Sequence, residues 1–378
     1  MVENSTRYSR QPRRIVHLIK HCWHCHGNVN VAVDLACGQA QKGDQVVFAS
    51  AGGAYDHLLD SYGVQRVTIH QGQENNPLRL MGSFRDLIGL CWSFKPDVLH
   101  AHMMSSAVFG YLVSKLTGIP LVTTVHNSFD SHAVLMRAGR VVVAVSQAER
   151  KLLIQRGFKP EKLVVVLNGP KGSPREHFGT PTDVKLATPS ITTVCGLHQR
   201  KGVHDLLAAF HLLLPEFPDW HLNIVGVGPD EDKLRALSRD LGISDSTHFI
   251  GAVDAPQSLL RQSDIFVLAS YAEPFGLSLA EAREAGCAIV ATEVGGIPEV
   301  LANGEAGQMV APGRPDQFAD RLRELMRDEE TLQQWRARAK AGVQIFSVKR
   351  VVEDYDKIYA ALKQGDSFAS GENFFAKR

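Results

Sequence analysis

Short apolar runs alternate with amphipathic stretches along nearly the whole chain. Residues 15–19, 45–49, 64–69, 97–100, 121–125 and 141–145 are brief, rich in β-branched side chains and almost continuously hydrophobic, and each reads as a strand. Continuous rather than alternating hydrophobicity marks strands covered on both faces, as in parallel sheets. Helical stretches lie between most of them, the first over 29–41, stopped by Lys42-Gly43-Asp44. A segment rich in Gly, Pro and Thr, with no apolar period, then interrupts the pattern, and 173–189 is taken as a link. The alternation restarts with strands at 191–195, 221–225, 247–250, 265–268 and 288–291 and helices at 203–214, 231–241, 277–284 and 315–327. Repeated β-α units imply parallel, doubly wound sheets. The expected plan is a basic disordered arm at 1–14, an α/β domain at 15–172, the link, a second α/β domain at 190–346, a final helix at 347–364 and a disordered tail at 365–378. Ligands of such sheets bind at the carboxyl ends of the strands, so two such domains facing each other enclose a cleft.

Composition narrows the function classes. The 378 residues are 44% hydrophobic and 21% charged, with 41 basic and 40 acidic side chains, an ordinary globular balance that calls for no nucleic acid. Arg7, Arg10, Arg13 and Arg14 make the arm locally basic and open to a peripheral contact with an acidic membrane surface. No run of about 18 apolar residues exists and the start lacks a signal-peptide core, so the expected location is the cytoplasm, including the inner face of the membrane. Cys37, Cys91, Cys195 and Cys287 are isolated from one another and read as reduced, buried thiols.

The stretch IKHCWHCHGN contains C-x-x-C-H, the spacing of a c-type haem attachment, and packs Cys22, Cys25 and three histidines (His21, His24, His26) into six residues. Covalent haem needs an exported chain. A closed zinc site needs four ligands, and His21, Cys22, Cys25 and His26 would form a very compressed cage. The cluster is better read as a polar lip on a loop between the first strand and the first helix, with neither metal nor haem.

The most informative segment is Tyr271-Ala272-Glu273-Pro274-Phe275-Gly276-Leu277-Ser278-Leu279-Ala280-Glu281. It follows a strand. Pro274 keeps Glu273 out of helical conformation, Gly276 permits close backbone approach, and a helix starts near Leu277. Glu273 therefore stays in the loop while Glu281 falls in the first turns, and both carboxylates can face one cleft. The free N–H groups at the helix start suit a phosphate. Carboxylates beside an anion site make sense if they hold hydroxyls while the amides hold a diphosphate.

This Glu-Pro-Phe-Gly-Leu, with a second Glu eight positions after the first, resembles the donor-binding motif of glycosyltransferase family 4, retaining enzymes of the GT-B fold. Ile224-Val225-Gly226-Val227-Gly228-Pro229, His248-Phe249-Ile250-Gly251 and Gly295-Gly296-Ile297-Pro298-Glu299 are similar to further family segments, as are Asp97-Val98-Leu99-His100-Ala101-His102, Val125-His126-Asn127, Val145-Ser146 and Asn168-Gly169. The resemblance spans nearly the whole chain. It implies two Rossmann-like domains, with the last helix crossing back to the first. The implied reaction moves a sugar from a UDP- or GDP-linked donor to a saccharide or lipid-linked acceptor with retention. The setting would be glycan, lipopolysaccharide or exopolysaccharide synthesis, with no cofactor and no obligatory metal. Glu281 then corresponds to the residue on the ribose hydroxyls and Glu273 to the one on the donor sugar. The Gly276 and Leu277 amides correspond to the diphosphate contact, and Phe275, in the same motif, to a further donor contact. Ile250 lies near the base, and Gly27 lines the cleft opposite the donor. Lys201 corresponds to the cation on the leaving group, and His126 to the active-site histidine of the first domain. Read as residues alone, Lys201 is a helix-start lysine, His126 a strand-end histidine bonded to backbone, and His100 and His102 either packing or pocket.

Some features depart from the pattern. Gly196 stands where the family usually has arginine, and Arg200 is a nearby substitute. His26 occupies the first of the family's paired glycine positions, leaving Gly27. The one D-x-D, Asp354-Tyr355-Asp356, lies in the final helix and reads as a solvated face. Gly226 and Gly228 suggest a dinucleotide fold, but Glu231 occupies the third glycine position. An epimerase or hydrolase on the same fold is the alternative enzyme, and sugar release without acceptor would mark it.

Overall fold

Among the described residues thirteen strands form two separate parallel sheets, and the order of the strands decides where a ligand can sit. The structure, a computed structural model, describes residues 11–23, 26–71, 77–178, 184–253 and 255–364. In the first sheet β1 (Arg14–Leu18), β2 (Gln45–Ser50), β3 (Gln65–Thr68), β4 (Val98–Ala101), β5 (Leu121–Val125), β6 (Val141–Ala144) and β7 (Leu163–Val165) run in the order β3-β2-β1-β4-β5-β6-β7. In the second, β8 (Ser190–Val194), β9 (His221–Val225), β10 (Thr247–Gly251), β11 (Ile265–Leu268), β12 (Ala288–Thr292) and β13 (Gln308–Val310) run β10-β9-β8-β11-β12-β13. The winding reverses between β1 and β4 and again between β8 and β11. At such reversals the loops part and leave a crevice at the strands' carboxyl ends.

Burial explains the strand signal. Ile15, Val16, Leu18, Leu99, Val122, Val143, Ile191, Ile224, Val267 and Val290 are all fully or almost fully buried, because helices cover both faces. The final helix, Val348–Gln364, packs Val348, Val351, Val352, Tyr355, Ile358 and Leu362 on Ile15, Val98, Val122 and Val143 of the first sheet. It thus returns the chain end to the first domain. Two expected features are corrected here. Asp354 and Asp356 do not form a solvated face: both are buried, Asp356 paired with Arg13 and Lys42 and Asp354 with Arg350 and Lys357. Arg13 and Arg14 do not belong to a disordered arm: Arg14 opens β1 and its N–H donates to the Asp97 carboxylate at 2.8 Å. Residues 1–10 of the arm, 179–183 of the link and the tail at 365–378 lie outside the described residues.

The edge strands β7 and β13 and the helix Glu329–Lys340 add to the expected elements. The link also carries structure. Pro174–His177 is a short 3-10 turn, with Ser173 and Arg175 buried against Asp34 of the helix Gly27–Gln41. The domains also meet where the Ser146 hydroxyl donates to the Pro274 carbonyl at 2.6 Å. Beside it the Glu299 carboxylate accepts from the Gln147 and Ala148 amides at 2.8 Å, capping the helix Gln147–Gln155 from the other domain. Among the described residues no helix is long and apolar enough to cross a membrane.

Candidate active site

Lys201 follows β8 and Glu273 follows β11, so the reversal in the second sheet brings them together. The Lys201 ammonium pairs with the Glu273 carboxylate, and Ser270 Oγ lies 3.4 Å from the same oxygen. Backbone contacts lace their loops. The Tyr271 N–H donates to the Arg200 carbonyl at 2.8 Å and the Gly296 N–H to the Glu273 carbonyl at 2.9 Å. Gly202 (φ 64°) and Gly295 (φ 54°) are left-handed, and a Cβ there would overlap the Ala269 and Glu273 carbonyls respectively. Only glycine satisfies both demands. Gly276 (φ 91°) starts the helix Leu277–Ala285, which no side chain caps. A Cβ placed on Gly27 would stand 3.8 Å from Leu277 Cδ2, so Gly27 faces that helix start across the cleft.

Arg200 reaches the same crevice. Its guanidinium lies 4.8 Å over the ring of Phe129, from the first domain. Its Nη1 is closed off from solvent and without a hydrogen-bond partner among the described residues. A Cβ added at Gly196 would come up against the His198 ring, its nearest atom at 3.2 Å, with the Val227 carbonyl oxygen at 3.9 Å.

Glu281 is buried, accepts from Gln257 at 3.1 Å and stands 3.6 Å from Arg175. Arg175 makes two hydrogen bonds to Asp34, at 2.8 and 2.9 Å. Burial pushes the Glu281 carboxyl up to about 7, with Arg175 opposing and Asp34 adding to the rise. Burial works against the Arg175 charge, but Asp34 and Glu281 outweigh it and hold the guanidinium above its ordinary range. One cation thus serves two carboxyls, and Asp34 has the better geometry, which leaves Glu281 the one to hold a proton. Ile250 packs with Leu259 of the short helix Gln257–Leu260, whose Gln257 meets Glu281. Phe275 needs correcting as a donor contact: its ring is buried edge-on against Phe346, 6.0 Å between centroids, so only its backbone is left for a ligand.

The first-domain rim is built of histidines. His126, just past β5, lies with its Nε2 3.2 Å from His102 Nδ1. His102 Nε2 lies 2.9 Å from His17 Nδ1, and His17 Nε2 lies 2.7 Å from Gln39 Oε1. His100, on the same face, bonds Thr124 and Tyr359 at 2.7 Å each, so it belongs to packing. Burial holds His17 down to about 4 and His126 to about 3, and burial with neighbouring rings holds His100 and His102 well below the ordinary value. The opening loop is divided. His21 and His26 face each other, 5.0 Å between ring centroids, as a lip does. Cys22 instead turns into the core with Ile19, Val29 and Tyr55, and burial pushes its thiol up to about 12, which disqualifies it as a ready metal ligand. His24 and Cys25 lie outside the described residues.

Two Rossmann-like domains, each with a reversal of strand order and the two joined by the final helix, define the GT-B architecture. Sequence comparison agrees: residues 183–342 match the model of Glycosyl transferases group 1, and residues 26–170 that of Glycosyltransferase Family 4. The chain is 30% identical over 298 residues to N-acetyl-alpha-D-glucosaminyl L-malate synthase of Bacillus anthracis, covering 71% of this chain and 76% of that one. It is 28% identical to D-inositol 3-phosphate glycosyltransferase of Corynebacterium aurimucosum, over 71% and 73% of the two chains. The fold matches the crystal structure of Anabaena Alr3699/HepE in complex with UDP-glucose, with a TM-score of 0.78 and 21% identity over 92% of this chain and all of that one. The chain belongs to the family 4 type of glycosyltransferase.

Sequence reading alone missed Arg175, Asp34, His17 and Gln39. A polar residue inside an apolar strand, as His17 is in Arg14–Leu18, was the available signal for one of them.

Proposed function

We propose that this glycosyltransferase moves a hexosyl group from a UDP- or GDP-linked sugar to an acceptor hydroxyl with retention, without a metal, in glycan, lipopolysaccharide or exopolysaccharide synthesis. The observation that carries this reading is the Lys201–Glu273 pair set beside the uncapped helix start at Gly276 and Leu277. In the free protein the two charges neutralise each other. An incoming diphosphate draws Lys201 to itself and lies on the helix-start amides. Glu273 is then released to accept hydrogen bonds from sugar hydroxyls, while Glu281 binds the ribose and Arg200 Nη1 gains the anion it lacks. The sugar's bond to the diphosphate oxygen breaks and the acceptor oxygen bonds to the same carbon on the same face. The acceptor's proton passes to the departing phosphate oxygen. Lys201 meets the charge that grows on the leaving group, usually the largest single catalytic contribution. HepE, on a similar fold, has been solved in complex with UDP-glucose, which supports a nucleotide-sugar as the donor.

A panel of nucleotide-sugars tests the reading by thermal shift and by nucleoside diphosphate release with candidate saccharide and lipid-linked acceptors, each with and without EDTA. One donor is expected to stabilise the protein, by about 2.7 kcal/mol at a hundred times its Kd, and to turn over equally with EDTA present. No shift and no release with any donor overturns the assignment. Sugar released to water whether or not acceptor is present indicates a hydrolase instead.

A further inference from the structure

The histidines of the first-domain rim form a single file across three adjacent strands: His17 on β1, His102 just past β4 and His126 just past β5. Each contact joins Nε2 of one ring to Nδ1 of the next, and the file ends on the Gln39 carbonyl oxygen. A neutral imidazole has one donor nitrogen and one acceptor nitrogen. The file therefore has only two consistent states, with all its protons pointing one way or all the other. An oxygen at the Gln39 end selects between them. It requires a proton on His17 Nε2, which leaves His17 Nδ1 to accept from His102 Nε2–H, and His102 Nδ1 to accept from His126 Nε2–H. His126 Nδ1 is then a bare lone pair, and this atom is closed off from solvent and has no partner among the described residues.

We infer that His17, His102 and Gln39 are positioning residues that lock His126 as the Nε2–H tautomer, leaving its Nδ1 as a buried, unpaired acceptor for a hydroxyl of the sugar or the acceptor. This rests on His126 lying in the transfer site, as proposed above. Burial favours the neutral form of all three rings, which the alternation of donors and acceptors needs. A metal is the rival occupant, since nitrogens of His17, His100 and His102 lie within 4.8 Å of one another. However, His100 already bonds Thr124 and Tyr359, and His17 and His102 already bond each other, so an ion would have to break a complete network. The locked ring contributes orientation and no charge, as the imidazole partner does in other tautomer-fixed sites.

The test is long-range ¹H–¹⁵N correlation on the full chain labelled with ¹⁵N-histidine at neutral pH, assigned with His17→Gln, His102→Gln and His126→Gln. All three rings are expected to be protonated at Nε2 and bare at Nδ1. A ring protonated at Nδ1, a signal averaged between tautomers, or a stoichiometric metal ion that a chelator removes overturns the inference. Gln39→Met, which touches neither His126 nor substrate, is expected to shift both His126 nitrogen signals. It should also lower kcat about tenfold with donor KM unchanged. Unshifted His126 signals in a folded Gln39→Met protein overturn the lock, and if that variant does not fold, the wild-type tautomers decide alone. Full activity of His126→Ala would remove the functional reading of His126 while leaving the tautomer result standing, so the two failures are distinguishable.

Discussion

The two rims of the cleft solve opposite problems. The second domain presents charge: Lys201, Glu273 and Arg200 stand on loops whose backbone is fixed by left-handed glycines and by N–H to carbonyl contacts. The first domain presents neutral rings, buried and bonded in file from Gln39 to His126. An ion pair on cleft loops, though largely buried, tolerates rearrangement, because a competing anion can replace either partner. A buried imidazole does not, because every nitrogen left unbonded keeps its full desolvation cost. The charged rim is therefore suited to meet charge that changes during a reaction, and the neutral rim to hold an orientation that must not change.

The sharpest way to break this contrast is Lys201→Ala. If the charged rim performs the chemistry, turnover should fall about 10²–10³-fold, or some 3–4 kcal/mol. The melting temperature should hardly move, since the lysine is part of no core. Steady-state kinetics beside thermal denaturation checks both halves of the statement. A variant with near-normal turnover shows that the charge is dispensable. A large loss of melting temperature shows that the ion pair is structural.

The contrast also explains what the sequence disclosed. The loop position of Glu273 and the helix position of Glu281 were legible because they follow from local chain geometry, a proline, a glycine and a helix start; Lys201 stood out only through the family resemblance. The parallel sheets were legible because strands buried on both faces are apolar throughout. The edge strands β7 and β13 were not, since each has three residues and one face of its ladder unpaired, too little to separate from a loop. Phe275 was misread because a motif gives the backbone path and not the direction of a ring. Asp356 was misread because the cation that buries it, Arg13, is 343 positions away. The Arg175–Asp34 pair spans 141 positions and the His17–His102 contact 85, and no pattern along the chain joins such residues before the fold does.

Acid should damage the neutral rim first. His17 is held at about 4 against an ordinary 6.5, so its contribution to stability is complete above pH 6.5 and is lost as pH falls from there to about 4. For this one ring the loss is on the order of 3 kcal/mol. His126, lowered to about 3, adds in the same direction, as do His100 and His102. Glu281 acts the other way. Raised to about 7, it contributes stability below its ordinary 4.5 that is lost as pH rises through 7. Four rings against one carboxyl leave a net fall in acid. Denaturant unfolding at pH 7 and pH 5 should show it, and His17→Gln should flatten the difference. A protein equally stable at both values would mean that the rings titrate as if exposed.

Arg200 stands between the rims, and the smallest effect is the one that tells most about how they meet. Its guanidinium rests on Phe129 of the neutral side while its backbone carbonyl holds the loop of Glu273, and one of its nitrogens is buried and unbonded among the described residues. If that nitrogen awaits the diphosphate, Arg200→Ala should raise the donor KM about tenfold, about 1.4 kcal/mol, with a much smaller effect on turnover than Lys201→Ala has. Gly196 offers an internal control. The family usually places arginine at that position, and the atoms closest to a Cβ there belong to the exposed ring of His198, which has room to turn aside. Adding Gly196→Arg to Arg200→Ala should therefore recover part of the lost affinity, and a double-mutant cycle should find the two positions coupled. Coupling would mean that this chain carries its second phosphate cation on a different residue, with Phe129 as its rest. Additive effects would mean that Arg200 serves only to hold the two domains together, and that the charged rim works with Lys201 alone.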